Sequence, residues 1–399
     1  MRKMPEQSSP AFLRKHGETV KIILAPDKFK GNMTSPEVCS IIREAFLSVM
    51  PEAEILALPM ADGGEGTVDA VIAADGGEIR QVEVTGPLGG KVMARFGLCN
   101  HGKSGVLEMS SASGLALVPP EKLNPLRATT YGTGELIRAV LDCGVEELTI
   151  GIGGSATVDG GAGMAQALGY HLLDAEGEEL ESGAEFLANL AQIDASEADQ
   201  RLFSTKIRVA CDVTNPLLGP DGAATVYGPQ KGATPEMVIA LEQGLAVLAN
   251  AWLERSMLES VEKPGDGAAG GLGAGLRAFC RAVPLSGAKL IIDMLELRKH
   301  LQNADLLITG EGCTDSQTES GKLCAEVAAA AKECSVPVLL LSGALKGDLS
   351  RFHQIFDCAF STSSGAHASI AEAVRAGRSD LYFTALNIAK LINSGICKK

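Results

Sequence analysis

The stretch that decides the fold is Thr149–Gly169, which reads TIGIGGSATVDGGAGMAQALG. It begins with the apolar and β-branched residues of a strand, breaks into glycines and hydroxyls, and continues from Gly160 with small residues that suit a closely packed helix. A glycine turn between a strand and a helix lets the backbone approach an anion and points N–H groups at it. The order therefore predicts a phosphate site, although a turn needed only for close packing has the same pattern.

The residues inside this turn are the first candidates for a site. We expect Gly153, Gly154, Ser155 and Thr157 to bind phosphate or substrate through backbone N–H groups and hydroxyls. Asp159 places a carboxylate at the same spot, where it would hold Mg²⁺ or accept a proton in catalysis.

Composition limits the class of protein. The chain has 399 residues, of which 46% are hydrophobic and 21% charged, and this is typical of a globular protein of two domains. The net charge of −14 argues against a nucleic acid or an anionic membrane as partner. An anionic substrate would therefore need lysines or arginines placed locally in its site.

The cysteines and the N-terminus indicate a cytoplasmic protein. The ten cysteines form no CxxC pair, and several lie in helical patterns, as buried thiols of a reducing compartment do. The first residues contain charges but no continuous apolar core, so we predict a loose extension over 1–19 rather than a signal peptide. No apolar run has the length that we expect of a membrane span.

Strands and amphipathic helices alternate at both ends of the chain, over 20–80 and again over 288–399. The middle, 81–287, begins instead with short strands joined by glycine turns. The pattern predicts an α/β fold: a Rossmann-like domain with a parallel sheet built from both chain ends, and a second, mixed α/β domain inserted into it.

One motif is misleading. Residues 97–104, GLCNHGKS, match the Walker A pattern letter for letter. A P-loop must lead into a helix, whereas the following residues, GVLEM, are typical of the return strand of a hairpin. We therefore reject a P-loop here.

Acidic residues follow many of the predicted strands, where ligands of open parallel sheets bind. Carboxylates hold Mg²⁺ and accept protons, while lysines and glycine turns bind phosphate, so the set predicts phosphoryl transfer. Metal ligands are predicted at Asp62, Glu65, Glu311 and Asp315, catalytic groups at Asp159, Asp212 and Lys30, and further substrate- or phosphate-binding residues at Asp27, Lys28, Asn215 and Lys322. The basic residues expected to supply local positive charge are Lys28, Lys30, Arg127, Lys231 and Lys322.

Several of these stretches resemble the signature motifs of the bacterial glycerate kinase family of the glycerate 2-kinase type. The resemblance covers nearly the whole chain from Lys21 and rests on APDKFKGNMTSPEV, LPMADGGEGTVDA, VTGPLG, GIGGSATVDGGAGMAQALG, CDVTNPLLG, GPQKGAT and TGEGCTDSQTESGK. It implies ATP-dependent phosphorylation of D-glycerate at the 2-position and a two-domain fold with its active site in the cleft. The chain departs from the family at Lys28 and Val158, where relatives commonly have Ser and Asn.

Two other functions stay open on sequence alone. A dinucleotide-dependent oxidoreductase would use the turn at 151–156, which lacks the last glycine of GxGxxG. A non-catalytic sensor of sugar acids would bind an anion, but it would not gather carboxylates in its site. The sequence also leaves open whether the chain is a monomer or a homodimer and which carboxylate is the base.

Overall fold

The computed structural model describes residues 19–315, 323–363, 365, 367 and 369–394. The chain divides into two compact units, one formed by 1–61 with 291–399 and the other by 62–290. We call them the terminal unit and the central unit.

The strands of the described residues are short and spread over the whole chain. They are β1 (Lys21–Leu24), β2 (Glu54–Ala57), β3 (Glu78–Thr85), β4 (Lys91–Cys99), β5 (Ser104–Glu108), β6 (Glu147–Gly151), β7 (His171–Leu173), β8 (Gln192–Asp194), β9 (Lys206–Ala210), β10 (Val283–Leu285), β11 (Leu306–Glu311), β12 (Val338–Ser342) and β13 (Cys358–Ser361).

The helices of the described residues vary from one turn to nearly seven. They are α1 (Ser35–Leu47), α2 (Thr67–Asp75), α3 (Ser110–Ser113), α4 (Tyr131–Leu141), α5 (Ala162–Ala167), α6 (Ala223–Tyr227), α7 (Pro235–Glu254), α8 (Leu272–Cys280), α9 (Gly287–Met294), α10 (Leu297–Leu301), α11 (Leu323–Glu333), α12 (Phe352–Ile355) and α13 (Ile370–Asn393).

The terminal unit is built on a parallel sheet of strand order β13-β12-β11-β1-β2. Helix α1 begins with a capping box, in which Thr34 and Glu37 satisfy each other's backbone N–H groups. The apolar faces of α1 and α13 join one core with residues of β1, β2, β11 and β12. Because parallel strands end at one edge, the loops after β1 and β11 lie side by side, as the hydrogen bond from Asp27 N–H to Gly310 O shows (2.8 Å).

The central unit is built on a mixed sheet of order β10-β9-β6-β5-β4-β3. Strand β4 pairs antiparallel with both β3 and β5, while β5, β6, β9 and β10 pair in parallel. The predicted α/β class is confirmed, with one parallel and one mixed sheet. The Walker-like segment lies in the β4–β5 hairpin, where Gly97 is opposite Val106, so its rejection as a P-loop is also confirmed.

The first unit boundary falls after Ala61 rather than after residue 80. Helix α2 is tied to the central unit by the Arg95–Asp69 ion pair (2.7 Å) and by the Val68 N–H bond to Glu108 (2.8 Å). The last helix begins at residue 370, where Ser369 caps it. The glycine run at 265–275 leads into the buried helix α8.

The described cysteines are all free. Contrary to the expectation of no candidate span, α7 has the length and hydropathy of a membrane-crossing helix. Such a helix is weak evidence for a span, since a core helix passes the same test, and here Leu241, Leu245, Leu248 and Trp252 lie in the core of the central unit.

The buried ion pair between Arg277 of α8 and Asp266 leads to a prediction of stability. Their side chains are only 8% and 1% exposed, so removing the cation leaves a buried carboxylate without its partner. We expect Arg277→Met to lower the free energy of unfolding by about 3–5 kcal/mol. The control is Arg80→Met, whose ion pair with Glu78 is half-exposed, so its loss should lower the free energy of unfolding far less. Chemical denaturation followed by circular dichroism measures both, and equal small losses would contradict the assignment.

Candidate functional site

The turn after β6 presents its backbone to solvent. Gly153 and Gly154 are exposed, and within the described part of the chain their N–H groups donate no hydrogen bond. Gly154 has φ of +76°, in the left-handed region that favours glycine. The turn is anchored from the other side, because Leu115 N–H donates to Gly154 O (2.8 Å) and Ala156 N–H donates to Ser113 O (3.0 Å). The geometry leaves two N–H groups available to an anion.

A lysine lies behind this turn. Lys231 is 2% exposed, and its Nζ donates to Ser155 Oγ (2.7 Å) and to the carbonyl oxygen of Thr157 (2.6 Å). It comes from the short turn between α6 and α7. Burial lowers the pKa of Lys231 to about 7, while the charge of Asp159 acts in the opposite direction.

The turn and the lysine line a cavity of about 420 Å³ in the central unit. This volume is within the range of small-molecule sites. Besides Gly153, Gly154, Ser155 and Lys231, its walls include Asp62, Cys211, Asp212, Tyr227 and Gln230. The structure thus brings together five residues predicted from the sequence, Asp62, Gly153, Gly154, Ser155 and Asp212.

Two exposed carboxylates, Asp62 and Asp212, line this cavity. Asp212 lies two residues after the end of β9, and its Oδ1 accepts the N–H of Gly287 (2.9 Å). Asp62 Oδ1 accepts the N–H of Gly64 (3.0 Å). Each carboxylate is therefore oriented by a backbone donor while its residue stays exposed. Glu65 is also exposed but is not among the residues that line the cavity.

Asp159, predicted as a catalytic group, is buried in the structure. Its residue has no exposed surface, and its oxygens accept hydrogen bonds from Thr130 N–H and Oγ1 (both 2.8 Å), Gly161 N–H (3.2 Å) and Gly163 N–H (3.4 Å). Burial raises the pKa of Asp159, and these hydrogen bonds lower it. A carboxylate held in this way offers little surface to Mg²⁺ or to a substrate hydroxyl, and its catalytic role stays a prediction. It also takes up the N–H groups of Gly161 and Gly163 around the start of α5.

Three further residues of the glycine-rich and CDVTN motifs lie behind the residues that line the cavity. Thr157 has no exposed surface, and it is its carbonyl oxygen that contacts Lys231. Asn215 accepts a hydrogen bond from the hydroxyl of Tyr227 (2.6 Å), which lines the cavity. Val158, where relatives commonly have Asn, is buried in the hydrophobic core. Thr157 and Asn215 do not line the cavity, and their direct contacts with phosphate or substrate stay predictions.

The remaining predicted residues belong to the terminal unit. Asp27 and Lys28 follow β1, and the Asp27 carboxylate accepts the Lys28 N–H (2.7 Å). Glu311 ends β11 and accepts the hydroxyl of Thr314 (3.0 Å). Both acidic groups lie near Cys324, whose thiol pKa is raised well above its usual value by burial first and then by these charges. Lys30 is exposed and Asp315 half-buried; their roles stay predictions, and Lys322 lies outside the described residues.

A larger cavity of about 790 Å³ occupies another part of the central unit. It contains Arg127, one of the predicted basic candidates, but this side chain is 69% exposed and forms an ion pair with Glu185 (3.4 Å). Glu121 and Glu181 add negative charge to its walls. We favour the smaller cavity as the site, because it alone of the two combines the glycine turn, two oriented carboxylates and a buried lysine.

The described residues contain no group of three or more His, Cys, Asp or Glu side chains arranged to hold a metal ion. Of the predicted metal ligands, Asp62 and Glu65 lie in the central unit, and Glu311 and Asp315 lie in the terminal unit. Mg²⁺ commonly takes only one or two protein carboxylates and completes its shell with water and phosphate. This donor set fits such a partial site rather than an all-protein one.

Comparison with known proteins identifies the family of the chain. Residues 22–393 match the model of the glycerate kinase family. The chain belongs to the glycerate kinase family. Over 375 residues it is 44% identical to the glycerate kinase of Haemophilus influenzae, covering 94% of this chain and 99% of that protein. Over 380 residues it is 45% identical to the glycerate 2-kinase of Escherichia coli K12, covering 94% and 99%.

A solved structure agrees with the family assignment. The putative glycerate kinase 2 of Salmonella typhimurium LT2 has a TM-score of 0.87 and 45% identity, covering 95% of this chain and 99% of that chain. Membership in the glycerate kinase family confirms the predicted resemblance and the prediction that the chain is an enzyme of the kinase class. This membership argues against the two alternative functions, a non-catalytic sensor of sugar acids and a dinucleotide-dependent oxidoreductase.

Sequence analysis named Lys231 only as one of five basic candidates, and it did not name Gln230 or Tyr227 as residues of a site. The GPQKGAT motif was the available signal, since it holds both Gln230 and Lys231 between glycines. Its partner turn lies 76 residues earlier in the chain, so spacing alone could not connect them.

The environment of Asp159 predicts a loss of stability rather than of turnover on mutation. An asparagine amide cannot accept the bonds that one carboxylate oxygen now accepts, and this leaves buried donors unsatisfied. We expect Asp159→Asn to lower the free energy of unfolding by about 1–3 kcal/mol, and Asp212→Asn, at an exposed position, to lower it by less than about 0.5 kcal/mol. Thermal denaturation compares them. A normal melting temperature with a hundredfold lower kcat for Asp159→Asn would restore the catalytic interpretation.

Proposed function

We propose that this chain phosphorylates D-glycerate with ATP, assisted by Mg²⁺, and that the product is 2-phosphoglycerate. The proposal is carried by the family match over 22–393. The 2-position follows the name of the Escherichia coli relative, a glycerate 2-kinase that is 45% identical over 380 residues. The cavity of the central unit supplies a site of suitable size and chemistry.

The glycine turn is suited to an anionic group of the substrates. Gly153 and Gly154 expose N–H groups, and Lys231 brings its amine to Ser155 directly behind them. A side chain in place of either glycine would narrow this approach, since a Cβ on Gly153 would lie 3.1 Å from Gly64 Cα and one on Gly154 would lie 3.3 Å from Ser110 Cβ. Backbone donors of this kind bind phosphate or carboxylate oxygens without sequence-specific side chains.

Asp212 is suited to accept the proton of the attacking hydroxyl. It is exposed in the cavity, and Gly287 N–H fixes one of its oxygens, so the carboxylate has a defined orientation. In phosphoryl transfer a carboxylate in this role orients the hydroxyl as the new O–P bond forms. Asp62, on the same cavity, is the candidate in the central unit for holding Mg²⁺. When bound, Mg²⁺–ATP supplies the phosphoryl group and neutralises its developing charge.

The predicted place of the active site in a cleft between two domains stays a prediction. So do the roles of Asp27, Lys28, Lys30, Glu311 and Asp315 in the terminal unit. A cytoplasmic location and the choice between monomer and homodimer also stay predictions.

The direct test is an ADP-release assay with D-glycerate, followed by NMR of the product. We expect turnover that requires both ATP and a divalent cation, and a product with phosphate on the 2-hydroxyl. Turnover that survives complete removal of divalent ions by EDTA would rule out the role of Mg²⁺, and phosphate on the 3-hydroxyl would correct the position. No turnover with D-glycerate would overturn the proposal.

The role of Asp212 has its own test. Asp212→Asn keeps the shape of the side chain but removes the proton acceptor, so kcat should fall by about a hundredfold or more, with the melting temperature nearly unchanged. The matched control is Asp142→Asn, an exposed aspartate of the same unit that pairs with Arg201 and should keep wild-type kcat. Near-normal kcat for folded Asp212→Asn would assign the base elsewhere.

A further inference from the structure

Lys231 is a buried cationic side chain whose contacts are unusual. Its two hydrogen-bond acceptors, Ser155 Oγ and Thr157 O, are both neutral. Among the described residues, these two hydrogen bonds are its polar contacts, and no carboxylate forms an ion pair with it. Lysines are rarely found fully buried unless they are paired. Here the residue also lines a cavity, from which an anionic ligand can approach it.

The nearest charge that acts on Lys231 is the carboxylate of Asp159. That carboxylate is committed to four donors from Thr130, Gly161 and Gly163. The Asp159 carboxylate therefore compensates the positive charge of Lys231 only in part. Burial dominates and lowers the pKa of Lys231 to about 7, so that near neutral pH a large fraction of the amine is uncharged.

We propose that the anionic group of the substrate, bound at the Gly153–Ser155 turn, is the counter-charge of Lys231, and that its binding makes Lys231 take up a proton from solvent. This inference rests on the proposed function for the presence of an anionic substrate. The anion is a phosphate oxygen of the nucleotide or the carboxylate of glycerate, which share this chemistry. Lys231 then acts as a positioning residue, because it reaches the anion through Ser155 and the turn.

The proposal fixes the sign of a pH dependence. Below about pH 7 Lys231 is already protonated in the free enzyme, and affinity for the anion does not change with pH. Above it, each binding event must bring a proton, so affinity falls by about tenfold per pH unit until the raised pKa of the complex is reached.

Other groups that face the cavity must be told apart from Lys231. The titratable side chains on its walls are Asp62, Asp212, Cys211 and Tyr227. Burial raises the pKa of the Cys211 thiol and of the Tyr227 hydroxyl above their usual values, farther from neutrality. Asp159, behind the turn, is the remaining buried group that could accept a proton.

Calorimetry measures the proton directly. Titration of the full-length enzyme with D-glycerate alone and with sulfate alone, each in two buffers of different ionisation enthalpy, gives the number of protons bound. Both probes keep a constant charge between pH 6 and 8. For a pKa of about 7, we expect uptake of up to about 0.9 proton at pH 8 and less than about 0.1 at pH 6. Uptake with sulfate only would place a phosphate group at the turn, and uptake with D-glycerate only would place the carboxylate there. No uptake with either probe would overturn the proposal.

Variants assign the proton to a residue. Lys231→Met should abolish the uptake and weaken binding, whereas Lys231→Arg, with a permanent charge, should bind without uptake. The control is Lys206→Met, an exposed lysine of the same unit paired with Glu147, which should behave as wild type. If Asp159→Asn loses the uptake while Lys231→Met keeps it, the proton goes to Asp159 and the proposal is wrong.

A spectroscopic measurement keeps the test valid if a buried substitution prevents folding. In wild-type enzyme labelled with ¹³C at lysine Cε, one signal should titrate near pH 7 and move to higher pH when the active probe is added. A set of lysine signals that all titrate near 10.4 would overturn the inference. The outcome is separate from the proposed function, since absence of ADP release can coexist with proton uptake, and turnover can occur without it.

Discussion

The hydrogen bonds of the buried Asp159 carboxylate hold the centre of this structure in place. They join the segment after β6 to Thr130, which lies 29 residues earlier in the chain. Thr130 Oγ1 in turn accepts the N–H of Met164 in α5 (2.9 Å). Buried charges are tolerated only when their hydrogen bonds are satisfied, so this arrangement determines a single path for the backbone between β6 and α5.

Close packing reinforces that path. A Cβ on Gly163 would lie 2.1 Å from Thr129 Oγ1, and a Cβ on Gly275 would lie 2.2 Å from the carbonyl oxygen of Gly160. No side chain larger than hydrogen fits at either position, which explains the small residues of the central stretch. The backbone behind the turn is thus closely packed, while Gly153 and Gly154 of the turn remain exposed. A turn held in this way, with exposed N–H groups, is preorganised for an anion.

The electrostatics of the site follow from this burial. The chain has a net charge of −14, so its overall field repels anionic substrates. A surface lysine would be screened by solvent and salt, whereas Lys231, at 2% exposure, acts in a medium of low polarity. The same burial that strengthens its interaction with an anion makes the free ammonium costly. Binding and protonation are therefore linked at this residue.

Structural features that depend on residues close together in the chain could be predicted from the sequence. The capping box of Thr34 and Glu37, the α/β class and the rejection of the Walker-like hairpin all follow from local patterns, because side-chain periodicity and capping act within a few residues. The family resemblance came from motifs of the same kind. Asp62, Asp212 and the glycine turn were also found in this way.

Which of the similar candidates lie on the cavity depends on contacts that form only in the folded chain. Asp159 and Asp212 both follow strands and look equivalent in sequence, yet one is enclosed by four donors and the other is exposed in a cavity. Lys231 looked like any other lysine until the fold placed it against Ser155, 76 residues away. Burial and charge pairing are set by contacts between residues distant in sequence, and a local pattern has no information about the dielectric surroundings that determine how a charged group behaves.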